Sequence, residues 1–89
     1  MNLINKRNEI NEIDRQMAVL FERRMQVVND IFILKQNAGL PIYDAARENE
    51  MLAANLKHIK NQEYKKYYQD FLFTCLKISK NYMQDLNQR

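Results

Sequence analysis

The 89-residue sequence has little of what tight turns and disulfides require. It contains one Gly, one Pro, one Cys and no Trp. So few turn-forming residues argue against a turn-rich β architecture and favour an all-α fold. A single cysteine, Cys75, excludes a disulfide within the chain and is typical of the reducing cytosol. We therefore expect an all-α, cytoplasmic protein.

Long hydrophobic runs and clustered charge are also missing. No apolar run approaches the roughly twenty residues that a membrane-spanning helix needs, and no charged-then-apolar leader opens the sequence. The net charge is only +3, and the basic residues are spread along the chain. A nucleic-acid-binding surface usually concentrates them. We expect neither a membrane nor a nucleic acid among the partners.

The N-terminal part of the sequence, up to Gly39, contains no Gly or Pro, and its residue pattern predicts one long helix. Between residues 4 and 36, apolar side chains recur with the spacing of an amphipathic helix, at Ile10, Ile13, Met17, Leu20, Phe21, Val27, Val28, Ile31 and Leu34. Such a helix is ~50 Å long, whereas a compact globule of this size has a radius of gyration of about 12 Å. Its exposed apolar face predicts a homodimer.

The remaining sequence predicts two shorter helices. Gly39 and Pro41 mark the end of the first helix, and Asp44 is an N-cap that opens a second helix ending near Lys60. A polar turn at residues 61–63 leads to a third helix over about residues 64–86. One stripe of this helix is formed by Leu72, Leu76, Ser79, Met83 and Leu86. We expect one domain, residues 1–89, with a long, a short and a medium helix.

Three cations interrupt the apolar pattern of the long helix: Arg7, Arg24 and Lys35. Arg24 and Lys35 are eleven residues apart, almost three turns, so they project within about 20° of each other, with Cα atoms ~16 Å apart. Together they can hold one small anion. Arg7 lies about 25 Å away along the axis and is turned by roughly 100°, so it cannot join them within its own chain, but an antiparallel partner helix could bring its copy of Arg7 there. Alternatively, all three are ordinary surface cations paired with nearby carboxylates.

Residues for nucleophilic or metal chemistry are scarce. His58 is the only histidine, and the sequence has no Gly-rich phosphate loop, so we expect no metal and no cofactor. Asp44, Arg47 and Glu48 lie together at the start of the second helix. They form either an ordinary helix N-terminus or a turn that presents a cation and a carboxylate to a cavity.

The order of these residues resembles the all-helical (type II) chorismate mutases. The resemblance is carried by Arg7, the seven-residue step to Asp14, ERR at 22–24, Lys35, LPIYD at 40–44 and RE at 47–48, and it is ungapped from Arg7 through Glu48. It implies an intertwined homodimer of three-helix chains with two active sites shared between subunits. It also implies a Claisen rearrangement of chorismate to prephenate, without metal or cofactor.

The resemblance further implies a role for each site residue. Arg24 would bind one substrate carboxylate and Arg7 of the partner subunit the other. Lys35 would bond a carboxylate and the ether oxygen, which gains negative charge as the C–O bond breaks. Glu48 and the backbone near Asp44 would hold the ring hydroxyl, with Arg47 close by.

The third helix departs from the family pattern, which is Ser-x-x-x-Gln, with Ser near the ring hydroxyl and Gln donating to the ether oxygen. Alignment on Ser79 places Met83 at the Gln position, whereas alignment without a gap places Lys80 and Gln84 at the two positions. We favour Ser79 and Met83 because both lie on the apolar stripe, while Gln84 lies in line with Lys77 and Lys80 and is expected to face outward. One ether-oxygen donor is then missing, which implies low activity.

Two other functions are compatible with the same fold. Isochorismate pyruvate lyases share it, although AGLPIYDAARE does not resemble their looser active-site loop. A helical dimer that is weakly active or inactive, and that docks to and regulates another shikimate-pathway enzyme, is the other alternative. Met83 is the residue that favours it.

Overall fold

The computed structural model describes all residues, 1–89, and contains three α-helices and no strand. Helix α1 spans Leu3–Ala38, α2 spans Ala45–Leu56 and α3 spans Lys65–Asn87, and a short 3-10 helix, Gln62–Tyr64, precedes α3. The prediction of an all-α chain with a long, a short and a medium helix is confirmed. None of the helices combines the length and the hydropathy that crossing a bilayer requires.

Both ends of α1 follow from local chemistry. The side chain of Asn2 accepts hydrogen bonds from the backbone N–H groups of Ile4 and Asn5, at 2.8 and 3.3 Å, so it caps the N-terminus. At the other end Gly39 adopts a left-handed conformation with φ 67°, and the N–H of Leu40 donates to the carbonyl of Lys35 at 2.8 Å. The predicted stop signal is confirmed, with the helix ending at Ala38.

Helix α2 begins as predicted but ends earlier. The carboxylate of Asp44 accepts a hydrogen bond from the N–H of Arg47 at 3.0 Å. The predicted end near Lys60 is wrong, because the helix stops at Leu56. After it, the N–H groups of His58 and Ile59 donate to carbonyls three residues back, which tightens the chain into a turn. The turn leaves Ile59 half-buried between exposed neighbours.

Helix α3 is the element on which the other two pack. It contacts both α1 and α2, whereas α1 and α2 do not pack directly against each other. The buried core consists of Val28 and Phe32 from α1 with Met83 from α3. Ile42, Tyr82 and Leu86 are half-buried around this cluster.

The molecule is elongated and leaves much apolar surface exposed. Its dimensions are 54 × 27 × 15 Å and its radius of gyration is 16.2 Å, against about 12 Å for a compact chain of this length. Its accessible surface of 7418 Å² exceeds by about 1,900 Å² the value expected for a compact monomer of 10.8 kDa. The exposed apolar side chains on the N-terminal half of α1 include Ile10, Ile13, Met17, Leu20 and Phe21.

Surface ion pairs contribute little to this fold. Three of the four ion pairs join residues three apart on one helix, and all three are exposed. In one of them the guanidinium of Arg15 donates two hydrogen bonds to Glu12, which lowers the pKa of that carboxyl. Both side chains are more than half exposed, so water screens their attraction. The fourth ion pair joins two different helices and belongs to the cavity described next.

Candidate functional site

A cavity of about 350 Å³ lies between α1 and α2, with α3 as its third wall. This volume is in the range of small-molecule sites. Apolar side chains such as Val28, Ile31 and Met51 form much of its surface. Its charged lining residues are Arg24, Lys35, Asp44, Arg47, Glu48 and Lys80. Four cations and two carboxylates give the cavity a formal charge of +2, which suits a small anion with an apolar body.

Arg24 is held in place by the third helix. Its Nη1 atom donates a hydrogen bond to Oγ of Ser79, and the Ser79 hydroxyl donates to the backbone carbonyl of Cys75 at 3.0 Å. Ser79 is buried, and its single proton is used within α3. The hydroxyl therefore serves as an acceptor for Arg24, and the contact fixes the guanidinium of α1 against α3.

Lys35 is held at the end of α1. Its Nζ donates to the backbone carbonyl of Ile42 at 2.8 Å, and the side chain is half-buried. An ammonium group has three N–H donors, so two remain for a ligand. Arg24 and Lys35 line the same cavity, as their eleven-residue spacing on one helix predicts.

The start of α2 contributes three charged residues with different surroundings. Asp44 caps the helix, and Arg47 extends toward Glu50, 3.6 Å away, with 71% of its side chain exposed. Glu48 is the most enclosed of the three, with 25% of its side chain exposed, and its carboxylate lies 3.4 Å from Nζ of Lys80. Glu48 is thus the α2 side chain held most firmly at the cavity.

Lys80 is a lining residue that the favoured alignment on Ser79 does not select. Gln84 is exposed, as expected, but Lys80, which shares its line on α3, is half-buried, pairs with Glu48 and lies 4.5 Å from the ring centroid of Tyr43. Its orientation depends on where α2 packs against α3, which helical periodicity does not report. One available signal was the ungapped alignment, which places Lys80 at a substrate-facing position.

The apolar stripe of α3 has the orientation that we expected. Ser79 and Met83 are buried, each with 8% of its surface exposed, and both line the cavity. Gln84 is exposed and does not line it. Which residue serves the ether oxygen stays a prediction.

Arg7 does not reach this cavity within its own chain. It is exposed on the N-terminal part of α1, and it forms no ion pair or side-chain hydrogen bond. This agrees with the helical geometry, which separates it from Arg24 by about 25 Å. Its role in a shared site stays a prediction.

A second, more apolar cavity of about 430 Å³ lies next to the first, closer to the N-terminus of α1. Its lining residues include Met17, Leu20, Phe21, Tyr68, Phe71 and Leu72, and Arg24 borders both cavities. His58 is exposed and lines neither, and no three metal-ligating side chains are grouped together. Of these two cavities, only the first is lined by carboxylates and by more than one cation.

Comparison with known proteins gives one family match. Residues 6–84 match the family model described as chorismate mutase type II. The chain is 42% identical over 48 residues to the T-protein of Haemophilus influenzae, covering 54% of this chain and 13% of that protein. It is 38% identical over 55 residues to the 3-dehydroquinate dehydratase of Pyrobaculum aerophilum, covering 60% of this chain and 18% of that protein. The chain therefore matches less than a fifth of the length of either relative, and no solved structure matches it significantly.

Proposed function

Because this chain belongs to the chorismate mutase type II family, we propose that it rearranges chorismate to prephenate, as one helical domain spanning residues 1–89. The observation that carries the proposal is the apolar cavity with a formal charge of +2, in which Arg24 and Lys35 lie on the same helix. Chorismate is a dianion with a carbon ring, so its charge and its polarity match those of the cavity.

The proposed mechanism needs no nucleophile. The rearrangement is unimolecular, so the protein has to hold the substrate in a compact, chair-like conformer and place positive charge where negative charge develops. Arg24 binds one carboxylate. Lys35 uses its two remaining N–H donors for a carboxylate and for the ether oxygen. A donor fixed at such an oxygen is worth roughly 3 kcal/mol of barrier, about a hundredfold in rate.

The ring hydroxyl of the substrate is assigned to the start of α2. Glu48 accepts its hydrogen bond, the backbone near Asp44 lies beside it, and Arg47 completes this side. Ser79, whose proton is engaged by Cys75, acts mainly by holding Arg24. Met83 offers no N–H, so we propose that the ether oxygen lacks its second donor and that turnover is low.

The exposed face of α1 supports a homodimer. An interface that covers the excess surface of about 1,900 Å² per chain is as large as those of obligate dimers. An antiparallel copy of α1 would cover Leu20 and Phe21 and would bring Arg7 of the partner subunit to the cavity that contains Arg24. Each dimer would then have two equivalent sites.

The experiment that tests this function is a chorismate assay. Purified protein should remove the chorismate absorbance and yield prephenate, and Lys35→Ala should lower kcat/KM by about a hundredfold. Lys77→Ala is the matched control, because it removes the same charge from an exposed position on α3. The proposal is wrong if chorismate persists, or if the two variants behave alike.

Met83 favours one alternative, a weakly active or inactive dimer that regulates another shikimate-pathway enzyme. In both curated relatives the similar segment is attached to much more sequence, which supports docking of this chain to a partner enzyme. Inertness toward chorismate, together with co-purification of such an enzyme, would support this alternative.

Release of pyruvate and salicylate from isochorismate would instead indicate a lyase of the same fold.

A further inference from the structure

The width of the charged cavity depends on α3. Helices α1 and α2 form opposite walls but do not pack against each other, and each is held by α3. Apart from the loop of residues 39–44, whose Ile42 carbonyl accepts a hydrogen bond from Lys35, the cations of α1 and the carboxylate of Glu48 are held relative to each other through α3. Whatever fixes α2 to α3 near the cavity also fixes the geometry of the site.

Lys80 makes the contacts that can do this. Its Nζ lies 3.4 Å from Oε2 of Glu48, in the only ion pair that joins two different helices. The same Nζ lies 4.5 Å from the ring centroid of Tyr43, in the loop before α2. The side chains of Lys80 and Glu48 are 31% and 25% exposed, so water screens this pair less than it screens the pairs on the helix surfaces.

We propose that Lys80 is a positioning residue that holds Glu48 and the Tyr43 loop at the cavity wall and offsets the charge of the Glu48 carboxylate. This inference deepens the proposed function and rests on it. With Lys80 in place, Glu48 can accept a hydrogen bond from the ring hydroxyl without presenting a bare carboxylate to a dianionic substrate. Without Lys80, that carboxylate repels the substrate in the ground state and in the transition state alike, so the loss should fall mainly on KM.

The first test compares the steady-state kinetics of four proteins with chorismate as substrate. Lys80→Met, which keeps the length of the side chain and removes its charge, should raise KM about fivefold with a smaller change in kcat. Lys80→Arg should restore most of the affinity. Lys77→Met, on the exposed face of α3, should behave like the wild type. Equal KM values for Lys80→Met and Lys77→Met would overturn the proposal.

A double-mutant cycle then tests whether Lys80 acts through Glu48. In the Glu48→Gln background the carboxylate that Lys80 offsets is gone, so Lys80→Met should raise KM by less than about twofold. A full fivefold increase in that background would show that Lys80 acts independently of Glu48, and it would overturn the proposal.

Amide hydrogen exchange separates this inference from the proposed function. Residues 48–52 of α2 should exchange faster in Lys80→Met than in Lys77→Met, because α2 has lost its ion pair with α3. A wild-type protein that leaves chorismate intact would refute the function, and the exchange rates would still report the positioning. Unchanged exchange in Lys80→Met would refute the positioning, even in an active enzyme.

Discussion

Replacing Met83 with Gln should increase the rate of chorismate rearrangement. Met83 is buried, lines the charged cavity and lies one turn after Ser79 on α3. Gln has the same two-methylene stem, so its amide would take the place of the thioether. The N–H groups of that amide would supply the donor that, by our alignment, the ether oxygen lacks.

The gain in rate and the loss of stability can both be bounded from the structure. A well-placed donor at an oxygen that gains charge is worth roughly 3 kcal/mol, so the upper limit is about a hundredfold in kcat. Met83 also packs with Val28 and Phe32 in the core. Burying an amide there without a partner lowers the free energy of unfolding by about 1–3 kcal/mol. We therefore expect a faster but less stable protein.

Chorismate turnover and thermal unfolding together provide the assay. Met83→Leu is the control, because it keeps the apolar volume and adds no donor, and it should leave the rate unchanged. Gln84→Ala, at an exposed position, should also have little effect. A folded Met83→Gln protein with no gain in rate, together with a large loss in Gln84→Ala, would show that the alignment on Ser79 is wrong.

Three further substitutions have expected outcomes. Gly39→Ala should lower the free energy of unfolding by about 1 kcal/mol, as measured in a thermal melt. The cost comes only from backbone strain at φ 67°, because no atom lies within 4 Å of the new methyl group. An unchanged melting temperature would contradict this. Phe21→Glu should shift sedimentation toward the monomer and Ile33→Glu, about 120° around α1 from Phe21, should not; equal effects would argue against the proposed interface. Ser79→Ala should lower kcat/KM about tenfold by freeing Arg24, and a wild-type value would show that Arg24 needs no such support.

The parts of the fold that depend on local chemistry could be predicted from the sequence. Gly39 ends α1 and Asp44 caps α2 because their preferences act within a few residues. The end of α2 could not be predicted in this way. Residues 57–60 contain no Gly or Pro, so no local stop signal in the sequence marks the end of the helix at Leu56.

The same division applies to the candidate site. Arg24 and Lys35 line one cavity because eleven residues bring two side chains to the same face of a helix. The place of Lys80 at the cavity does not follow from its line on α3, because its surroundings are set by the packing of α2 on α3 and by its contact with Glu48. Periodicity therefore reports which residues share a helix face, but not which neighbouring element that face meets.

Subunit complementation tests most directly whether the site is shared. Arg7→Ala and Arg24→Ala should each inactivate the homodimer, because each removes a cation from both sites. When the two variants are unfolded together and refolded, half of the dimers should be mixed, and each mixed dimer should contain one intact site. The proposal predicts recovery of about a quarter of the wild-type activity. If the refolded mixture stays as inactive as the two variants alone, Arg7 and Arg24 do not act on one substrate from different subunits.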